Sequence, residues 1–387
     1  MKTISHINYI IFLIMQIQQL SLFPQTEVKK KKQAKLGRYE RIQRELESND
    51  NEPYKIFIDV EEKRTNYNFV DLFSGAGGMS QGLSDAGLNP IISVEINEIA
   101  SATYQKNFPS CFHICDDINK FRPKEILDLI NAPEIHLIAG GPPCQGFSVA
   151  GKRKEDDPRN YLFREFIRVV SEINPWYVVM ENVPGILTMK NGAIKENIFQ
   201  AFEEIGYRVS VAILETASFG VPQIRPRAIF IANRFKQNNP YPKPQLLPHE
   251  YKPIESVIAD LPEYDPIPEI NHQWTRHSPQ YMERLAKVGY GESLYESYAD
   301  AFKRQYPGKP SMTIKENHGG THIHPHLNRV ISAREMARLQ SFPDSFIFEG
   351  TMKKAMWQIG NAVPPRLAEC IAYALIPYLD KIKANQN

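Results

Sequence analysis

From Tyr67 to Asn233 the chain alternates apolar extended runs with amphipathic helical ones, and this alternation constrains the fold more than any single motif. "YNFVDLF" reads as a buried strand, "SGAGGMSQGLSDAG" as a tight turn entering a helix, and "NPIISVEI" as a second strand. The pattern continues with a helix around Ile99 to Asn107, a short strand at "CFHIC", a helix near Lys124 to Ile130, and the strand "IHLIAGG". The helix "YLFREFIRVVSEI", the strand "WYVVMENV", the helix "AIKENIFQAFEEIG" and the pair "RVSVAIL" and "RAIFIAN" complete it. Alternation over about 165 residues predicts a doubly wound, mostly parallel α/β sheet.

The flanks differ in kind. Residues 1–65 contain the short apolar run "YIIFLIM" and the run "KKKK", which reads as an N-terminal extension: an amphipathic helix followed by a charged segment. The apolar run is well below the ~20 residues of a membrane span and lacks a small-residue cleavage site, so a membrane role is not expected. After the α/β domain of residues 66–232, the segment 233–324 opens with "NRFKQNNPYPKPQLLPHEYKP" and shows no clear periodicity, as expected of a smaller, irregular inserted domain. Regular helix returns in 325–387 with "SAREMARLQSF", where Ser332 and Glu335 form a capping-box pattern, and with "PPRLAECIAYALIPYLDKI". This last part is expected to complete the α/β domain. Four cysteines, Cys111, Cys115, Cys144 and Cys370, are too few for a disulfide framework in a chain of 387 residues, which points to a reducing, cytoplasmic compartment and to thiol chemistry. The net charge of +2 announces no polyanion partner. "CFHIC" offers three metal-ligand types on one strand face without a fourth, so no metal is expected.

Chemistry concentrates where strands end. "DLFSGAGG" places Gly75, Gly77 and Gly78 at a strand-to-helix turn, where backbone approaches a nucleotide-like ligand closely. Glu95, 20 residues after Gly75, can accept from ribose hydroxyls. A dinucleotide fingerprint would need glycine at position 80, and the residue is Ser80, so an adenosine ligand is favoured without a pyrophosphate. Asp117 is placed to accept from an adenine amino group, and Phe73 and Ile96 to sandwich the ring; taken alone, the glycines are also compatible with a plain tight turn. "GGPPCQGFS" carries Cys144 to the same rim, with Lys152, Arg153 and Lys154 close behind. A thiol of pKa about 8.5 needs such positive potential or turn amides to become a nucleophile. "VVMENVPG" brings Glu181 after a buried run, suited to act as an acid. "VPQIRPRAIFIA" sets Arg225 and Arg227 two apart, so that both can face one side and hold a carbonyl oxygen or phosphates.

Six motifs in one order resemble those of the DNA (cytosine-5)-methyltransferases of prokaryotic restriction-modification systems: "DLFSGAGG", "GGPPCQGFS", "ENV", "QIRPR", "REMARLQSFPD" and "QIGNAVPPRLA". The resemblance runs from about Asn68 to Tyr373. It implies a Rossmann-like fold using S-adenosyl-L-methionine, held by Phe73, Gly75, Gly77, Gly78, Glu95, Ile96, Asp117, Ile118, Pro143, Asn361 and Ala362. It implies Cys144, Glu181, Arg225 and Arg227 as catalytic residues that methylate carbon 5 of a flipped cytosine in double-stranded DNA. The segment 233–324 is similar in position to the family's target-recognition region, although its charges balance, eleven Lys plus Arg against eleven Asp plus Glu. Gln145, Ser148, Lys152, Arg153, Arg276 and Lys315 are the expected DNA contacts, with His277 and Asn317 as further readout candidates. The resemblance further implies a monomer and a cognate restriction endonuclease acting on the same site. The Cys-Phe-Thr signature of the tRNA-methylating branch is not found in the insert, and an oxidoreductase would leave "PPCQGFS" and "ENV" unexplained.

Overall fold

The structure, a computed structural model, describes residues 65–143, 160–295, 302–315 and 322–386. Seven strands form one sheet: β1 (Asn68–Leu72), β2 (Asn89–Glu95), β3 (Phe112–Cys115), β4 (Leu137–Gly140), β5 (Tyr177–Asn182), β6 (Arg208–Glu215) and β7 (Pro226–Asn233). Their order is β3-β2-β1-β4-β5-β7-β6. The first five pair in parallel, while β7 runs antiparallel between β5 and β6. Strand order reverses between β1 and β4, and the crevice outside their carboxyl ends is where such sheets bind ligands. Because β7 is antiparallel, its amino end lies on that same rim.

Helices cover both faces, which is why the strands read as continuous apolar runs rather than alternating ones. On one face Phe69, Leu137, Ala139, Val179 and Ile231 pack with Met79 and Leu83 of α1 (Gly78–Asp85). On the other, Val70, Leu72, Ile138, Val178 and Phe230 pack with Phe166 and Val170 of α4 (Asn160–Ile173) and Ile198 and Phe202 of α5 (Ala193–Glu204). Between them in sequence lie α2 (Glu98–Asn107), capped by Asn97, and α3 (Pro123–Leu129).

Beyond β7 the chain is held differently. The described residues of the insert contain two short α-helices, α6 (Glu255–Ile258) and α7 (Pro279–Ala286), and their extended segments pair through isolated bridges rather than a sheet. Buried Arg304 does the work of a backbone ladder, donating to the carbonyls of Leu285, Val288, His324 and Leu327. The chain then forms α8 (Ala333–Leu339), with Ser332 and Glu335 closing the capping box. It continues with α9 (Met352–Asn361), which the sequence pattern did not reveal, and α10 (Pro365–Gln386). Leu367, Ile371, Leu375 and Leu379 of α10 join the core beside α1, so the carboxyl-terminal segment packs into the α/β core. No helix among the described residues is long and apolar enough to cross a membrane.

Candidate active site

The glycine turn is bent by left-handed residues. Phe73 (φ +57°), Gly75 (φ +53°) and Gly77 (φ +98°) turn the chain from β1 into α1. A Cβ on Gly77 would stand 2.6 Å from the Phe108 ring, and one on Gly78 would stand 2.3 Å from the Val363 carbonyl oxygen. Glycine is therefore required for close packing as well as for the turn. Above Gly75, by contrast, a Cβ would meet nothing within 4 Å among the described residues, so no described side chain covers the backbone of the loop there. Glu95 fixes its edge: Oε2 accepts from the Gly75 N–H and Oε1 from the Asn97 N–H, each at 2.8 Å. Burial raises the Glu95 carboxyl above its ordinary value against these bonds.

The remaining cofactor candidates fall around this turn. Ile96 is 66% exposed at the end of β2, an unpaired apolar side chain beside the cradle. Asp117 follows the neighbouring strand β3, where its Oδ1 accepts from the Asn119 N–H and side-chain amide at 2.9 and 2.8 Å, and Ile118 is buried after it. Ala362 lies against the loop, its Cβ 3.1 Å from the Gly78 Cβ position, and Asn361 is exposed beside it at the end of α9. Pro143 is exposed past β4, and the Asn182 side chain ties this segment to β5 by donating to the Pro142 carbonyl at 2.9 Å.

On the same rim Glu181 and Arg227 form an ion pair, Oε1 to Nε 2.7 Å, both nearly buried at 14% and 10% exposure. Their partnership follows from topology, because β5 and β7 are antiparallel neighbours and the end of one meets the start of the other. A Cβ on Gly141 would lie 3.4 Å from Glu181 Oε2, so the end of β4 approaches the carboxylate without a side chain between them. The arrangement sets a carboxyl, which donates to a ring nitrogen only once it is protonated, beside a guanidinium that can donate to an adjacent carbonyl oxygen.

Arg225 does something else, which corrects the expectation that both arginines face the substrate. Its buried guanidinium donates to the carbonyls of Ile314 at 2.6 Å, Gly360 at 2.8 Å and Ala362 at 3.2 Å. Burial, reinforced by the charge of Arg227, pushes it down to about 9. Gln223, which sequence reading passed over, extends this seam: its amide donates to Leu339 and Gln340, and its Oε1 accepts from the Ile314 N–H at 2.8 Å. Arg225 is thus a clamp joining β7, the insert and the α9–α10 turn. Arg225→Met strands three carbonyls and is expected to cost about 3 kcal/mol of stability. Thermal melting measures this, and an unchanged midpoint would contradict the clamp.

Cys144, Gln145, Ser148, Lys152 and Arg153 lie outside the described residues, as does Asn317. Arg276 and Lys315 are exposed on the insert, whereas His277 stacks on Tyr281, ring centroids 4.6 Å apart.

Comparison with known proteins agrees with this geometry. The family C-5 cytosine-specific DNA methylase matches residues 67–377. The chain is similar to the Type II methyltransferase M1.HphI of Haemophilus parahaemolyticus, 38% identical over 323 residues that cover 80% of this chain and 86% of that one. M.DdeI of Desulfomicrobium norvegicum is 35% identical over 376 residues, covering 81% and 90%. A crystal structure from E. coli, assigned as a prophage-encoded DNA modification methyltransferase, superposes with a TM-score of 0.71 at 29% identity, covering 81% of this chain and all of that one. The chain belongs to the C-5 cytosine-specific DNA methylases and is a DNA cytosine-5-methyltransferase.

Proposed function

We propose that this methylase uses S-adenosyl-L-methionine, acts on a cytosine flipped out of a specific duplex sequence, and protects that sequence from a cognate restriction endonuclease. The observation that carries the reading is the buried Glu181–Arg227 pair on the rim that also holds the glycine cradle. The protective role rests on relatives named as Type II methyltransferases.

The chain's residues fit the cofactor. Bare backbone at Gly75, the fixed Glu95 carboxylate and exposed Ile96 suit a nucleoside with a ribose diol and a flat base. Phe73, Gly77, Gly78, Asp117, Ile118, Pro143, Asn361 and Ala362 would complete the pocket. S-adenosyl-L-methionine would supply the methyl group. Cys144 as thiolate adds to carbon 6 of cytosine, and the displaced electron pair moves toward ring nitrogen 3, where Glu181 delivers a proton. Arg227 steadies the carbonyl oxygen at carbon 2 and orients Glu181. Carbon 5, now enamine-like, is the atom that would take the cofactor's methyl group; loss of its proton to a base then expels Cys144 as thiolate, and ring nitrogen 3 returns its proton to Glu181. A stacked base is out of reach, so flipping costs a few kcal/mol before chemistry begins.

Residues 66–232 and 325–387 form the catalytic domain in this reading, and 233–324 the target-recognition domain. Gln145, Ser148, Lys152, Arg153, Arg276 and Lys315 would contact DNA. Bisulfite sequencing of DNA from cells expressing the chain tests the function: the expected result is 5-methylcytosine at one recurring sequence. Transfer of labelled methyl groups to adenine, or to tRNA alone, would overturn it.

A further inference from the structure

The insert meets the catalytic rim along a seam of three chain segments. Residues 311–314 lie beside the loop that leads into β7. The Ile224 N–H donates to the Ser311 carbonyl at 2.8 Å, the Thr313 hydroxyl donates to the Ile224 carbonyl at 2.7 Å, and Arg225 holds the Ile314 carbonyl. Ile224 stands three residues before Arg227, the partner of Glu181. Next comes His322, which is 4% exposed and whose ring hydrogen-bonds the Thr313 backbone. The third segment carries Lys303: the Ile323 N–H donates to its carbonyl at 2.9 Å, and the Gln305 N–H donates to the Ile323 carbonyl at 3.2 Å. Three such steps keep Lys303 within roughly 20 Å of Ile224, about six base-pair rises of a duplex.

The charged groups that act on the His322 ring are both cations, Lys303 and Lys315. Lys315 is exposed two residues after Thr313, and Lys303 is half-buried on the other side of His322. The ring between them carries no charge of its own, because burial lowers it to about 4. A neutral imidazole has one N–H. His322 Nδ1 is buried without a partner, so Nε2 donates to the Thr313 backbone and Nδ1 is left as a lone pair. That lone pair suits a neighbouring ammonium and repels an anion, so any anion at this seam is held by the lysines rather than by the ring. The charges of the insert balance, eleven against eleven, and attraction for a polyanion therefore has to come from a local pair of this kind.

We propose that Lys303 and Lys315 form a phosphate seat at this seam, which holds the DNA backbone beside the nucleotide that enters the Glu181–Arg227 site. The inference rests on the reading of duplex DNA as the substrate. It assigns Lys315 to the backbone rather than to the bases. An ammonium is a compact point charge, and phosphates are present at every sequence, so the seat fixes the position of the duplex and adds affinity for all sequences alike.

Anisotropy titration of the full chain tests the seat, using one labelled duplex that contains the methylated sequence and one that lacks it, each from about 50 to 300 mM salt. Lys303→Met and Lys315→Met are each expected to weaken both duplexes about fivefold to tenfold at roughly 100 mM salt and to flatten the plot of log K against log salt by about 0.9; the double variant should flatten it by about 1.8. Lys303→Arg and Lys315→Arg should keep the native slope, a rescue that loss of packing alone does not predict. Affinity for S-adenosyl-L-methionine, measured by calorimetry on the same samples, should stay within about twofold of native. Should Lys303→Met not fold, Lys303→Gln carries the same expectation. A native salt slope in the methionine variants would overturn the seat, and so would a loss confined to the methylated sequence, which would make the lysines base readers. A native chain that binds neither duplex would overturn the reading of DNA as substrate, and the seat with it.

Discussion

Cys144→Ser is expected to lower methyl transfer by on the order of a thousandfold or more while leaving sequence-specific DNA binding intact. Carbon 5 of cytosine is a poor nucleophile until carbon 6 carries an added group, so turnover depends on covalent addition rather than on proximity alone. A serine hydroxyl is far less acidic than a thiol, and no local field of this rim can keep it ionised near neutral pH. Glu181 and Arg227 remain paired in such a variant, because their 2.7 Å contact is made across β5 and β7 without help from the cysteine. Binding energy from the duplex and from the pocket is likewise untouched, so the loss should fall on kcat rather than on the dissociation constant. Single-turnover transfer from labelled cofactor, beside gel-shift titration, separates the two. A serine variant within tenfold of native turnover would refute the covalent route. Arg227→Met, which removes a donor without removing the nucleophile, should lose about a hundredfold in kcat, in contrast to the stability loss expected at Arg225.

That contrast marks where sequence reading stops. The parallel core was legible because both sheet faces are covered, so each strand is a short apolar run and each helix carries its own stripe. Glu95 was legible because its spacing from Gly75 places it at the next strand end, and the structure joins the two by a hydrogen bond. An i, i+2 spacing puts Arg225 and Arg227 on one side of the chain, but it says nothing of which distant groups arrive there. Ile314 and Gly360 come from 89 and 135 residues away. The direction of β7 was equally hidden, since a buried run reads the same both ways. In the insert, Arg304 binds carbonyls from five separate positions, and such a core of one cation and many carbonyls leaves no periodicity to find. α9 was missed because its cap Thr351 makes no side-chain bond, and its buried positions number only four, Ala355, Gln358, Ile359 and Gly360. Ser80 was visible only as a departure from a glycine pattern; its hydroxyl, bonded to Asp71, supplies the reason for the departure.

Gly82→Ala is expected to destabilise the protein although helix propensity alone would stabilise it. Gly82 lies inside α1, where alanine is favoured over glycine by about 1 kcal/mol. Packing opposes this strongly. A Cβ at position 82 would stand 1.9 Å from the Pro365 carbonyl oxygen, 2.7 Å from Ala368 Cβ and 2.7 Å from the Glu369 N–H nitrogen. Two of those three atoms are backbone at the start of α10, so relief requires the helices to part rather than a side chain to turn. Overpacking of this kind costs about 1–3 kcal/mol or more, and contact between two rigid backbones belongs at the upper end. A net loss of about 2 kcal/mol lowers the melting midpoint by roughly 3 °C for a chain of this size. The displacement also reaches the ligand. Val363 and Ala362 precede α10 and touch the Gly78 position, so moving α10 away from α1 opens the floor of the cofactor cradle. Gly82→Ala should therefore weaken S-adenosyl-L-methionine binding in the same samples that melt early. Calorimetric titration at 20 °C, well below either midpoint, distinguishes an opened cradle from a partly unfolded population. A raised midpoint would mean that α10 yields freely and that its close seat on α1 is not what shapes the pocket.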